Sequence, residues 1–178
     1  MISGVSLPSE DSIDTIFKWA LYGAVTALCF FLQGAFFQRF TLWGVLPFVY
    51  PLLAAIPATY EAPVPATIFA LCVGVVCDAL LPGAIPCFYT LIFPVIGLLS
   101  SLLARGVLPA GFFCSLAAVI LALCLTDLFR CLLLWISGRN VWRAGLFLLL
   151  RELCVTLPFS LPVILLYRMA ARKVHLYD

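Results

Sequence analysis

The stretch Ala66 to Gly83, ATIFALCVGVVCDALLPG, decides how the rest of the chain is read. Ala66, Ala70, Gly74 and Asp78 recur every fourth residue, so on a helix they line one slowly drifting ridge of small side chains that ends in a carboxylate. Ile68, Phe69, Leu71, Val73, Val75 and Val76 fill the other directions and leave no water-facing stripe. Such a helix is surrounded by apolar matter. In hydrocarbon, small residues at this spacing let a second helix come close enough for dispersion contacts to hold it. An ionisable group near mid-bilayer costs at least ~2.5 kcal/mol on insertion scales, so Asp78 is expected to face a bundle interior or wet cavity, or to sit near the interface.

Composition agrees with that reading. Of 178 residues 65% are hydrophobic and only 10% charged, and the mean hydropathy is +1.20, far from the values of soluble domains. A spanning helix takes about 20 apolar residues, so the chain has room for five or six spans and none for a separate soluble domain. The net charge of +2 is small and the basic residues are scattered, which excludes a nucleic-acid surface. The expected fold is all-α: a polytopic membrane bundle of about six transmembrane helices.

In chain order, residues 1–15 form a polar lead without the basic start of a signal peptide. A first span covers about 16–37, with Ala20, Ala24 and Gly23, Ala27 as small pairs and Gln33 as a lone amide. A second, about 42–59, carries Pro47, Pro51 and Pro57 and should kink or break. A tight link through Tyr60, Glu61 and Pro63 leads into the ridge helix, which ends at a sharp turn with Pro82, Gly83 and Pro86. The fourth span, about 87–104, should kink at Pro94 and carries the small pair Gly97 and Ser101. The fifth, about 107–136, is long enough to tilt or to break near Pro109 and Gly111. A polar loop from Ser137 to Arg143 precedes the sixth, about 144–169. The transmembrane domain thus runs over 16–170, and 171–178 is a basic tail ending past Arg172, Lys173 and His175.

With six spans, Lys18, Arg105, Arg168, Arg172 and Lys173 share one side and Arg39, Arg139 and Arg143 the other, which places both termini in the cytoplasm. If the last two spans fold back about Asn140, position 127 lies level with 153 and 130 with 150. Asp127, Arg130, Arg151 and Glu152 then form a charge-neutral cluster at one depth, roughly 15 Å from the outer loop, as buried charges in a membrane require. Asp127 and Arg130 are also close enough on one helix to touch. Three roles remain open for this cluster: a network that sets helix register, a polar interface for a partner's transmembrane helix, and a ligand or proton site. For Asp78, the nearby Pro82 and Gly83 add a capping role at a helix end.

Other chemistry is poorly supported. The eight cysteines lie in apolar spans without CxxC or a nearby histidine and read as small buried hydrophobes. No metal, cofactor or catalytic site is expected. His175 is the single histidine, and no phosphate loop, dinucleotide turn or nucleophile pairing occurs.

Gly74-Val-Val-Cys-Asp78-Ala-Leu-Leu-Pro-Gly83 resembles the third-helix signature of the MreD family of rod shape-determining proteins, a glycine four before an aspartate and then a small turn. Pro47 opening an apolar second helix, Asp127 late in the fifth, and Leu150-Arg151-Glu152 with Pro158 and Pro162 before a basic end extend the resemblance over most of 30–173. The resemblance implies a non-enzymatic scaffold subunit of the cell-elongation machinery in the cytoplasmic membrane. Its partner would be an MreC-like single-span protein, and through it the peptidoglycan synthases and the MreB cytoskeleton. The family is also similar in architecture to the substrate-binding subunits of energy-coupling-factor vitamin transporters, which supplies the alternative. There the first-span pairs would face a coupling subunit and the outer polar region would hold a vitamin. In the scaffold reading, the same small ridges and the outer cluster seat a partner helix, while Ala66, Ala70 and Gly74 form a helix-packing ridge. Short links one-two and three-four with few hydrogen-bonding side chains favour the scaffold, and no small-molecule substrate is expected.

Overall fold

The computed structural model describes residues 10–35, 46–81, 86–109, 111–138 and 142–174. Within them lie α1 (Glu10–Ala35), α2 (Tyr50–Ala58), α3 (Pro63–Leu80), α4 (Phe88–Gly106), α5 (Phe112–Ile136) and α6 (Trp142–Val174). Apart from α2, each contains an apolar stretch long enough to cross a bilayer, so the chain is a multi-pass helical membrane protein. α1 begins at Glu10, inside the stretch read as a polar lead. Positions 82–85, which include Pro82 and Gly83, lie outside the described residues, as do Arg39, Arg139, Asn140 and His175.

The second span departs from expectation. Its helix has nine residues, about 13.5 Å of rise against the ~30 Å of a hydrocarbon core, so α2 alone is too short to span, and the whole segment 46–61 makes the return from the Gln33 end of α1 to its Lys18 end. Residues 46–49 before it are non-helical, because Pro47 and Pro51 withhold the N–H groups that would continue a helix backward. Irregular backbone at membrane depth survives only where protein satisfies it, and here it does. Gln33 of α1 donates from Nε2 to the Pro47 carbonyl at 2.7 Å, and the Phe48 N–H donates to Thr156 Oγ1 of α6 at 3.2 Å. All nine residues of α2 are buried among the other five helices.

α3 and α4 form the most extensive helix pair. Ala66, Ala70 and Gly74 are buried, and what covers them is α4. A Cβ on Gly97 would meet Ala70 Cβ at 2.7 Å, and one on Gly74 would meet the Tyr89 carbonyl oxygen at 2.7 Å. The ridge is therefore a packing face, closed within the chain by α4. Its opposite side, with Ile68, Leu71, Val75 and Val76, faces outward.

α1 packs on α2 and α6 through Tyr22, Cys29 and Thr26, whose hydroxyl lies 2.7 Å from Tyr167 Oη. Its small pairs Ala20, Ala24 and Gly23, Ala27 are exposed, and a Cβ on Gly23 would meet nothing within 4 Å. At the α2–α3 link, Glu61 pairs with Lys18 of α1 at 2.7 Å, and its carbonyl accepts from Ser101 Oγ of α4 at 2.7 Å. The link is thus stapled to two neighbours.

Candidate functional site

The polar residues singled out from sequence fall on three sites. Asp78, in the last turn of α3, accepts hydrogen bonds from the Tyr89 N–H at 3.1 Å, the Thr90 N–H at 2.7 Å and Thr90 Oγ1 at 2.5 Å. Tyr89 and Thr90 are the second and third residues of α4, whose first N–H groups have no partner within their own helix. The residue where a cap would sit, Cys87, offers no side-chain bond and has φ 58°. Asp78 supplies the cap from the neighbouring helix, with its negative charge at the positive end of the α4 dipole. Capping was among the roles open to it, but the end it caps is not its own. Asp78→Ala is expected to destabilise the protein by about 2 kcal/mol, measured by thermal unfolding in detergent, with Asp78→Asn losing less.

Asp127, Arg130 and Glu152 meet between α5, α6 and the start of α2. Arg130 Nη1 lies 3.6 Å from Asp127 Oδ1, and its guanidinium sits 5.4 Å from the centre of the Phe48 ring, close enough for a cation–π attraction. It also lies within electrostatic reach of the Tyr89 side chain. Glu152 lies within electrostatic reach of both Asp127 and Arg130. Asp127 and Glu152 are each only 5% exposed. Tyr89 joins this group to the Asp78 cap, because its N–H donates to Asp78 while its side chain lies within electrostatic reach of Arg130.

Arg151 does not join them. It is exposed on the outer side of α6, so the group holds two carboxyls and one guanidinium and is not neutral among the described residues. The physical reason is rotation: adjacent residues on a helix point about 100° apart, so when Glu152 turns inward Arg151 turns out. The hairpin register also differs. α5 and α6 touch where Cys131 meets Gly145, which centres the fold two residues earlier than Asn140 and brings Asp127 level with Leu149.

The chain was compared with models of protein families, with characterised proteins and with solved structures, and no match was found. The site's chemistry must be read from its geometry. Among the described residues no group of three or more metal-binding side chains comes together. Exposed Cys72, Cys87 and Cys154 depart from the reading of every cysteine as buried: Cys72 and Cys154 sit on the outer sides of α3 and α6, and Cys87 in the turn before α4.

Several contributors were not visible in the sequence. Tyr89 and Phe48 carry no signal in their spacing, because their partners come from other helices. The Lys18–Glu61 pair was divided between a span and a link, and Tyr22 lies within electrostatic reach of Glu61. Thr59 and Ser115, whose hydroxyls lie 3.2 Å apart, extend that polar end of the bundle.

Proposed function

We propose that this protein is a non-enzymatic membrane scaffold of the bacterial cell-elongation machinery, of the MreD kind. It grips the helix of an MreC-like single-span partner and so helps organise peptidoglycan synthesis. The observation that carries this reading is that α2 fills the bundle centre with its own side chains, Leu52, Leu53 and Ile56 being fully buried. A carrier of vitamins needs a chamber of ~300–1,000 Å³ at such a place. The partner's seat is the ridge of α1, where Ala20, Gly23, Ala24 and Ala27 lie open at a spacing that admits a second helix closely. In this reading the protein sits in the cytoplasmic membrane with both termini inside. The Asp78 cap and the Arg130 group hold α3, α4 and α5 in register, which keeps the scaffold stiff.

Co-purification from native membranes tests it. The expected result is a single-span partner with a large outer domain, and recovery of ATPase subunits or of a stoichiometric small molecule would overturn the reading. Gly23→Leu combined with Ala27→Leu should lower partner recovery about tenfold, the effect of ~1.4 kcal/mol. Helix content and thermal stability should stay unchanged, because both positions are exposed.

A further inference from the structure

We infer that the groove between α5 and α6 is a self-association site, in which Arg151 of a second copy of this chain completes the uncompensated carboxyl pair at Asp127. The groove encloses a cavity of about 240 Å³ lined by Cys124, Asp127, Leu128, Cys131, Leu146 and Leu149. It is smaller than a typical small-molecule pocket and of a size for one long side chain. Leu128 and Leu146 at its mouth are 51% and 65% exposed, so it opens sideways toward lipid. Asp127 is among the lining residues, and among the described residues its buried Oδ2 has no hydrogen-bond partner, while Oδ1 shares the single guanidinium of Arg130 with Glu152 nearby. A carboxylate oxygen in that position calls for a cationic donor.

The chain carries such a donor on its outside. Arg151 lies on a lipid-facing stripe of α6 with Phe147, Cys154 and Pro158, all exposed. A guanidinium facing hydrocarbon is as costly as the orphan carboxylate. Its depth is right as well. Leu149 and Asp127 line the same cavity, and Arg151 is two residues further along α6, about 3 Å of rise. Extended toward the nearer end of the helix, as long basic side chains do in membranes, its head reaches the level of Asp127 in a neighbour of the same orientation. Each copy thus offers both halves of an ion pair that it does not close by itself.

Arg151 and Leu149 point about 200° apart on α6, so knob and groove lie on different faces. The contact is head-to-tail, and copies joined this way form a ring or a row. This surface is separate from the α1 ridge, so the contact does not depend on what the ridge holds. Cys154 of the inserted face comes near Cys124 of the receiving groove, which provides an internal reporter.

The test uses full-length protein labelled with donor or acceptor fluorophores and reconstituted in dilute lipid vesicles. Wild-type copies should show energy transfer, and Asp127→Asn and Arg151→Gln should each lower association about tenfold. Mixing the two variants should restore transfer between them, because the Arg151 of one still meets the Asp127 of the other. Mild oxidation of wild-type vesicles should yield a Cys154–Cys124 linked dimer. The inference is overturned if both variants associate like wild type, or if the mixture stays dissociated. It is also overturned if Asp127→Asn alone loses association, since the cation would then come from a different source such as an aminolipid or another protein. Arg151→Gln alters only an exposed side chain, so it leaves the fold intact and the test readable.

Discussion

Replacing Gly74 by valine is expected to destabilise the protein by about 3 kcal/mol or more, the largest effect of any single substitution proposed for the α3–α4 pair. A Cβ there would lie 2.7 Å from the Tyr89 carbonyl oxygen and 3.0 Å from Thr90 Cα. Both are backbone atoms, and the N–H groups of the same two residues are held by Asp78. α4 cannot yield without releasing its cap. Thermal unfolding in detergent should show a fall of roughly 6–12 °C, whereas Gly23→Val, on the open face of α1, should shift the transition little. Because Gly74 and Asp78 act on the same turn, Gly74→Val with Asp78→Ala should cost less than the sum of the two. Full additivity would show that cap and close approach are independent.

Arg130→Leu is the second large effect, about 3 kcal/mol. The guanidinium pairs with Asp127 and lies over the Phe48 ring, and without it two nearly buried carboxyls within electrostatic reach of each other lose their cation. The value lies at the low end for a broken buried pair because the Arg130 side chain is 34% exposed, so part of its charge is already screened. Arg130→Lys should recover only part of the loss, since a compact ammonium cannot pair with the carboxylate while laying a planar group over a ring. Chemical unfolding of the variants in mixed micelles would rank them. A leucine variant as stable as the lysine one would show that the group does not hold α5 to the start of α2.

How much of this was legible beforehand depends on whether a signal is local. The ridge at Ala66, Ala70 and Gly74 follows from a four-residue period, and the structure shows it to be a packing face. Asp127 and Arg130 follow from a three-residue spacing and do pair. The α2 region was legible as a disrupted span, because Pro47, Pro51 and Pro57 cannot sustain one. That it would be a half-length helix walled in by five others was not, since the bonds from Gln33 and Thr156 that make its irregular start tolerable come from distant parts of the chain.

The failures have the same cause. Arg151 was counted with Glu152 because adjacency in sequence fixes depth in a membrane but not direction, and one residue of rotation separates the bundle interior from lipid. By itself, the amino-acid order determined a membrane bundle of helices, the positions of most of them, and which few polar groups would have to find partners in hydrocarbon. Only tertiary packing decided who those partners are. It closed the α3 ridge with α4, left the α1 ridge open, moved the Asp78 cap to the next helix, and put Arg151 outside. Periodicity and hydropathy are properties of one helix, whereas each of these outcomes depends on the rotation and register of one helix against another.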